Sequence, residues 1–238
     1  MNATLARRLF AEGLGTAFLL VAVVGSGIAA QRLSPGDTGL QLLENSIATG
    51  AALVAIILAF GAVSGAHLNP VVTLVDRLFG GVSSREASLY CGAQVLGAIV
   101  GVAVADLMFE LPAFEVSTKV RDGGGLLLGE VVATLGLLLV VFGLARAGRS
   151  AVTPFAVGAY ISAAYFFTSS TGFANPAVTV GRTLTDTFTG IAPESAPAFI
   201  GMQLVGAALA FVAIKVLYTD VAAHARDVVV PHEEPRAA

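Results

Sequence analysis

Two asparagine–proline pairs supply the side chains of this chain that are best placed to act on another molecule. Asn69 and Pro70 lie in the stretch SGAHLNPVVTLVDR, and Asn175 and Pro176 lie in TGFANPAVTVGRT. Proline suits the first position of a helix, where its missing N–H is no loss, and asparagine suits the cap before it. A capping asparagine still has an NH₂ group to offer to a solute. Each pair therefore predicts a helix that begins with a hydrogen-bond donor.

The composition indicates that these pairs lie in a membrane protein. Of the 238 residues, 56% are hydrophobic and 12% are charged, whereas an average soluble domain has about 25% charged residues. Segments long enough to cross the hydrocarbon core, roughly 20 residues each, occur at about 9–30, 43–63, 87–109, 125–147, 151–170 and 196–218. We therefore predict an all-α membrane protein with six transmembrane helices.

Several other classes of function find little support. The net charge of −3 offers no basic field for nucleic acid. The single cysteine, Cys91, excludes an internal disulfide framework. No His, Cys and Asp cluster has the spacing of metal ligands, and Ser64 has no evident activating partner. We expect no metal site, no cofactor and no enzymatic activity.

An internal repeat organises the six spans. AEGLGTAFLLVAVVG at 11–25 matches GEVVATLGLLLVVFG at 129–143, and QVLGA at 94–98 matches QLVGA at 203–207. Because each half contains an odd number of spans, the second half must begin on the opposite side of the membrane. The halves, about 1–120 and about 121–218, are therefore predicted to be inverted.

The segments that carry the Asn-Pro pairs, around 65–79 and 171–187, are too short to span. We expect both to be re-entrant and enclosed by protein, because lipid does not satisfy free polar backbone groups. A helix of about 10 residues rises about 15 Å, so two such helices entering from opposite faces meet near the midplane. Their positive N-terminal ends and the two asparagines would attract oxygen lone pairs there and repel cations.

Two carboxylates, Glu12 and Glu130, occupy equivalent places within the first span of each half. A carboxylate at such depth costs about 2.5–3.5 kcal/mol on insertion scales, so each must be paired or protonated. One interpretation is a proton relay in a transporter. The other, favoured by the repeat, is that each accepts hydrogen bonds from the re-entrant loop of its own half.

Lysine and arginine are more frequent in the connections on the side of the termini, so both termini are predicted to be cytoplasmic. The polar residues 219–238 are predicted to form a cytoplasmic tail.

Taken together, the six spans, the inverted halves, the stretch SGAHLNP and the stretch NPAVT resemble the aquaporin or major intrinsic protein family of channels. The resemblance covers nearly all of 1–218 and implies a homotetramer in a bacterial inner membrane, with a pore in each subunit. It implies that Asn69, Pro70 and Val71, and Asn175, Pro176 and Ala177, form the two pore boxes, with Val71 where alanine is usual. It also implies that the loop carbonyls lead solutes to these boxes; they belong to Gly65, Ala66, His67, Leu68, Thr171, Gly172, Phe173 and Ala174.

The outer filter departs from the family pattern. Most members have arginine directly after the second box, where this chain has Val178. Counting back from the boxes places the other filter positions at Thr49, Ala163 and Gly172, with Phe173 as the alternative to the last. None of these four filter residues is charged or aromatic, so a wide apolar filter is expected. Arg182, one turn beyond Val178, is expected in the vestibule or paired with Asp186, and a role in place of the missing filter arginine is the less favoured alternative.

A wide filter favours small neutral solutes beyond water, such as glycerol-like polyols and uncharged metalloid hydroxides such as arsenous acid. Bacterial members with valine at this place resemble the branch associated with arsenic detoxification. The alternatives are a strict water channel or, less favoured, a secondary transporter built on inverted repeats, since neither box contains the acid that ion coupling needs.

Overall fold

A computed structural model describes residues 3–218, and these form eight α-helices, one short 3₁₀ turn and no strand. The predicted tail, 219–238, lies outside the described residues. The helices are α1 (Leu5–Leu33), α2 (Thr38–Ser64), α3 (Pro70–Phe79), α4 (Ser84–Met108), α5 (Gly124–Arg146), α6 (Thr153–Phe167), α7 (Pro176–Arg182) and α8 (Ala196–Leu217).

Six of the helices are long and apolar enough to cross a membrane, namely α1, α2, α4, α5, α6 with its preceding 3₁₀ turn, and α8. This confirms the six predicted spans. The helices of the first half extend beyond the predicted apolar segments because polar residues cap them: Thr4 accepts a hydrogen bond from the N–H of Arg7, and Asp37 accepts one from Leu40. In both halves, large apolar side chains on the outer faces of the helices are exposed, among them Phe18, Leu58, Val104, Leu128, Phe166 and Val212. The chain is a multi-pass membrane protein.

The two short helices begin where the asparagine caps predict. Asn69 and Asn175 have extended backbones, with φ of −156° and −155°, and each is followed by proline in the first turn. α3 has the expected 10 residues, but α7 has only 7 and ends at Arg182. The chain beyond α7 pairs with the α4–α5 connection instead, since the N–H of Ser117 donates to the carbonyl of Thr183 at 3.0 Å. The predicted re-entrant segment 171–187 is thus helical over a shorter range than expected.

Glycines allow the spanning helices to pack closely. A methyl group added at Gly97 of α4 would collide with the backbone oxygen of Gly13 in α1. Between α2 and α6, a Cβ at Gly158 would lie 2.6 Å from the oxygen of Gly50. Such small residues let membrane helices approach until their backbones touch. The result is a tight frame around the two half-helices.

Candidate functional site

The two asparagines are joined by reciprocal hydrogen bonds at the point where α3 and α7 meet. Nδ2 of Asn69 donates to the carbonyl of Ala174 at 2.7 Å, and Nδ2 of Asn175 donates to the carbonyl of Leu68 at 2.8 Å. Each side-chain oxygen caps its own helix, Asn69 accepting from Val71 and Asn175 from Ala177, both at 3.0 Å. One hydrogen of each NH₂ group is left over, so the pair can offer two donors to a solute.

The loops before the caps have an unusual backbone. Ala66 and Leu68 in the first loop, and Thr171 and Ala174 in the second, have positive φ between 46° and 65°. Left-handed conformations of non-glycine residues cost about 1–3 kcal/mol each and are retained where the surroundings enforce them. Gly65 and Gly172 also have positive φ, so each loop has this conformation four, three and one residues before its asparagine. The equivalent pattern indicates that the direction of the carbonyl groups matters. Two of these carbonyls, of Leu68 and Ala174, already accept a bond from an asparagine, so each has one lone pair left.

Glu12 lies at the centre of the network that holds the first loop. Its Oε1 accepts from the N–H of His67 at 3.0 Å and from the hydroxyl of Ser64 at 2.6 Å. Its Oε2 accepts from the N–H of Leu68 and from Nε2 of Gln94, both at 2.8 Å. Four donors surround a fully buried carboxyl group, and they satisfy it as a hydrogen-bond acceptor.

Glu130 occupies the same place in the second half. It accepts from the N–H groups of Phe173 and Ala174 at 3.0 Å and from Nε2 of Gln203 at 2.6 Å. Gln203 also donates to Thr179 of α7 at 2.9 Å, as Gln94 does to Thr73 of α3 at 3.0 Å. The glutamines thus link each carboxylate to a half-helix. The repeat of QVLGA at 94–98 as QLVGA at 203–207 is the signal in the sequence for this shared role.

A cavity passes along the asparagines and is lined by residues of both halves. Nine of the predicted site residues are on its wall: Thr49, Ala66, His67, Leu68, Asn69, Gly172, Phe173, Asn175 and Val178. Gly65, Pro70, Val71, Thr171, Ala174, Pro176 and Ala177 are not among its lining residues. Pro70, Val71, Pro176 and Ala177 form the first turns of the half-helices, and the other three lie in the loops that precede the caps.

The prediction that Ala163 belongs to the filter is wrong. Its side chain is exposed on the outer face of α6, whereas Ile161 and Tyr165 line the cavity. Counting without gaps fails here because residues two apart on a helix point to nearly opposite sides. Tyr165 is the polar group that this counting missed, and its hydroxyl lies 3.1 Å from that of Thr49.

The expectation for Arg182 is also corrected. Arg182 lines the cavity and is only 3% exposed, so it does not lie in an open vestibule. Its Nε donates to the carbonyl of Thr189, and its guanidinium lies on the ring of Phe173. Asp186, the predicted ion-pair partner, instead accepts from the N–H of Thr118 at 2.9 Å. The loop after α7 folds back over the helix, which a residue count along a helix face does not predict.

The rest of the wall is apolar, and its residues are not among those predicted from the sequence. It consists of Leu19, Val23, Leu53, Ile57, Val72, Leu137, Val141, Val157 and Ile161. In the part of the chain that the structure describes, no group of three or more His, Cys, Asp or Glu side chains is placed to hold a metal ion. The cavity therefore has apolar walls, two central amide groups and a polar layer of Thr49, Tyr165 and Arg182, so its lining is less apolar than the filter expected from the sequence.

Known proteins share this architecture. The chain is 50% identical over 206 residues, 87% of its length, to the aquaglyceroporin AqpS of Rhizobium meliloti, of which it covers 88%. It is 33% identical over 188 residues to a probable aquaporin, NIP7-1, of Arabidopsis thaliana, covering 74% of this chain and 65% of the relative. The X-ray structure of the aquaglyceroporin from Plasmodium falciparum superposes with a TM-score of 0.67 at 24% identity, covering 92% of this chain and 97% of that one.

Residues 1–174 match the sequence profile of the major intrinsic protein family. This match includes the first pore box, Glu12, Glu130 and the loop that leads to the second box. Together with the relative that is half identical over most of the chain, it shows that the protein belongs to the major intrinsic protein family.

Proposed function

We propose that the protein is a passive channel for small neutral solutes: water, glycerol-like polyols and uncharged metalloid hydroxides such as arsenous acid. The reciprocal pair of Asn69 and Asn175 carries the proposal, because it places two unused amide hydrogens on the wall of a cavity between two helix N-termini. A solute oxygen can accept these hydrogen bonds as it sheds its own hydration.

The electrostatics of the cavity favour neutral solutes over cations. Helix N-termini each carry about half a positive elementary charge, and α3 and α7 both start at the asparagine pair. Among the described residues that line the cavity there is no Asp, Glu or Lys, and there is one arginine, Arg182. A coupled transporter needs a group that binds its driving ion near the site, so this wall supports a channel rather than a transporter.

The solute range follows from residue 178. A valine projects no polar group into the cavity and fills less space than an arginine in the same place. Glycerol has a carbon face and a hydroxyl face, and the cavity offers Val178 and Ile161 to the first and Thr49 and Tyr165 to the second. Arsenous acid is a neutral molecule of similar size that carries three hydroxyl groups. The name of the relative AqpS, an aquaglyceroporin, supports the polyol part of this range.

For the oligomeric state and the location of the protein, we propose a homotetramer in a bacterial inner membrane with both termini cytoplasmic. The family resemblance supports the tetramer, and the bacterial origin of AqpS supports the membrane. The even number of candidate spans in residues 3–218 supports an arrangement with both ends of this part of the chain on one side.

Proteoliposomes containing the purified protein test the proposal. Stopped-flow light scattering would give water permeability from shrinkage in an impermeant osmolyte, and glycerol permeability from the reswelling that follows a glycerol gradient. Arsenous acid entry would be measured as arsenic retained by the vesicles. Val178→Phe should reduce glycerol and arsenous acid entry by at least several-fold, because the ring would occupy the cavity. Ala163→Phe is the matched control, since residue 163 lies on the exposed face of α6, and it should behave as wild type.

The alternatives give different results. A protein that conducts water but neither glycerol nor arsenous acid is a strict water channel, and the proposed solute range is then wrong. Glycerol uptake that depends on a proton or sodium gradient indicates a transporter. Equal permeabilities for Val178→Phe and wild type would show that this cavity is not the route.

A further inference from the structure

Two guanidinium groups lie close to the ring of Phe173 at the outer end of the cavity. The central carbon of Arg182 is 3.4 Å from the ring centroid, and that of Arg121 is 5.2 Å from it. Guanidinium groups stack on aromatic rings through their flat faces. Phe173 is 5% exposed and is also packed edge-on against Phe199, so the ring is a fixed support for the two cations.

Both arginines are anchored to the same short segment after α7. The Nε of Arg182 donates to the carbonyl of Thr189, and the Nε of Arg121 donates to the carbonyl of Gly190 at 2.9 Å. The backbone carbonyl of Arg182 accepts from Ile191 at 3.1 Å. These bonds fix the orientation of each guanidinium and use only one of its nitrogens.

The terminal nitrogens of Arg182 remain free to act on a solute. Within residues 3–218, neither Nη1 nor Nη2 of Arg182 hydrogen-bonds to another residue, although the side chain is almost fully buried and lines the cavity. Arg182 follows Val178 by four residues on α7, so both lie on one helix face, with Arg182 about 6 Å farther out. Tyr165 and Thr49 line the same cavity.

We infer that Arg182, stacked on Phe173, is a specificity-determining residue that repels cations at the outer end of the pore, a role that position 178 does not fill. The inference rests on the proposed channel function. The charge of Arg182 opposes cation entry before the helix N-termini do, and its free N–H groups donate to the oxygens of neutral solutes. Because the guanidinium lies against the ring, 3.4 Å from its centroid, it leaves room in the cross-section for a solute. The pore thereby combines a cationic entrance with the space that Val178 leaves.

The test compares cation permeability with glycerol permeability in the same proteoliposomes. Arg182→Met removes the charge and keeps an unbranched side chain. Proton entry is followed with an internal pH-sensitive dye, and sodium entry with a sodium-sensitive dye. Charged entrances change local ion concentrations by about tenfold or more. The ratio of cation to glycerol permeability should therefore rise by about tenfold, whereas Arg182→Lys, which keeps the charge, should stay within a few-fold of wild type.

Arg32→Met is the matched control. Arg32 also lies at the outer ends of the helices, but its side chain is exposed and is not among the residues lining the cavity. The Arg32→Met substitution removes the same charge from the same side of the membrane. It should leave the ratio of cation to glycerol permeability unchanged. In the double variant Arg182→Met and Val178→Arg, the ratio should return towards the wild-type value, because a cation again faces the pore.

Arg182→Gln serves as a second neutral variant, since its amide can still donate to Thr189. If the ratio in Arg182→Met or Arg182→Gln equals that of wild type, the inference is wrong, even while glycerol still permeates and the proposed function stands. A third outcome is that neither neutral variant reaches the membrane while Arg182→Lys does. A raised ratio of cation to glycerol permeability in Arg182→Lys would then show that the positive charge is not the barrier, and the inference would also be overturned. Absence of glycerol permeation in wild type, in contrast, would contradict the proposed function itself.

Discussion

Asn69 and Asn175 each donate a hydrogen bond to the carbonyl oxygen of the residue that precedes the other, at distances of 2.7 and 2.8 Å. The exchange joins the two half-helices directly, so the positions of the two caps depend on each other. It also determines which amide hydrogen remains for a solute, because the other is already used.

Asn175→Asp should make the pore leak cations. An aspartate still caps α7 but cannot donate to Leu68, and it places a negative charge where two helix N-termini now repel cations. We expect proton and sodium permeability to rise by about tenfold or more and glycerol permeability to fall. Asn69→Asp should behave alike because the contacts are reciprocal. Dye-based ion flux in proteoliposomes checks this, and unchanged cation exclusion in both variants would contradict it.

Glu12→Gln should destabilise the protein. The amide NH₂ would face donors, since both oxygens of Glu12 now accept hydrogen bonds from Ser64, His67, Leu68 and Gln94. Leaving a buried donor without an acceptor costs about 1–3 kcal/mol. The apparent melting temperature in detergent should fall by several degrees. Glu115→Gln, at an exposed position, is the control and should leave it unchanged; an equal fall in both would show that the network is not the cause.

Gly97→Ala should be more harmful than Gly92→Ala, although both lie in α4. At Gly97 the new methyl group collides with the backbone of Gly13, whereas at Gly92 nothing lies within 4 Å. Overpacking costs about 1–3 kcal/mol, while alanine for an exposed helical glycine gains up to about 1 kcal/mol. Apparent melting temperatures should shift in opposite directions. A similar small gain in both variants would mean that α1 and α4 are not in the close contact described.

Lys119, in the α4–α5 connection, should react as an unusually acidic amine. Its Nζ donates to the carbonyl of Phe188 at 2.7 Å. Partial burial of this ammonium, followed by the nearby charges of Arg121 and Arg182, lowers the pKa of Lys119 to about 8, from about 10.4 for a free lysine. Only the neutral amine is nucleophilic, so its acylation, followed by mass spectrometry, should rise with a midpoint near pH 8.

Arg121→Met should move the midpoint for Lys119 to higher pH, since one repelling charge is removed. A wild-type midpoint near that of a free lysine would show that the ammonium is solvated. Lys119 lies in the α4–α5 connection, outside the spans, so this measurement does not depend on solute permeation.

Much of the fold was predictable from the sequence because its causes are local or periodic. Six apolar segments of membrane length predict six spans, and Asn-Pro pairs predict helix starts at Pro70 and Pro176. The repeat placed Glu12 and Glu130 in equivalent positions, which favoured a structural role for both. These properties depend on residue type and spacing along the chain, and so the sequence by itself determines them.

The tertiary structure alone decided which side chains line the cavity. The face of α6 that turns inward depends on its packing against α2, so Tyr165 and not Ala163 lines the wall. The place of Arg182 depends on its hydrogen bonds with Thr189 and Ile191, which return over α7 after a loop. Contacts between residues far apart in sequence leave no periodic signal. The sequence therefore determined that two helix caps meet in a membrane, whereas the three-dimensional packing decided that a cation and an aromatic ring lie at the entrance.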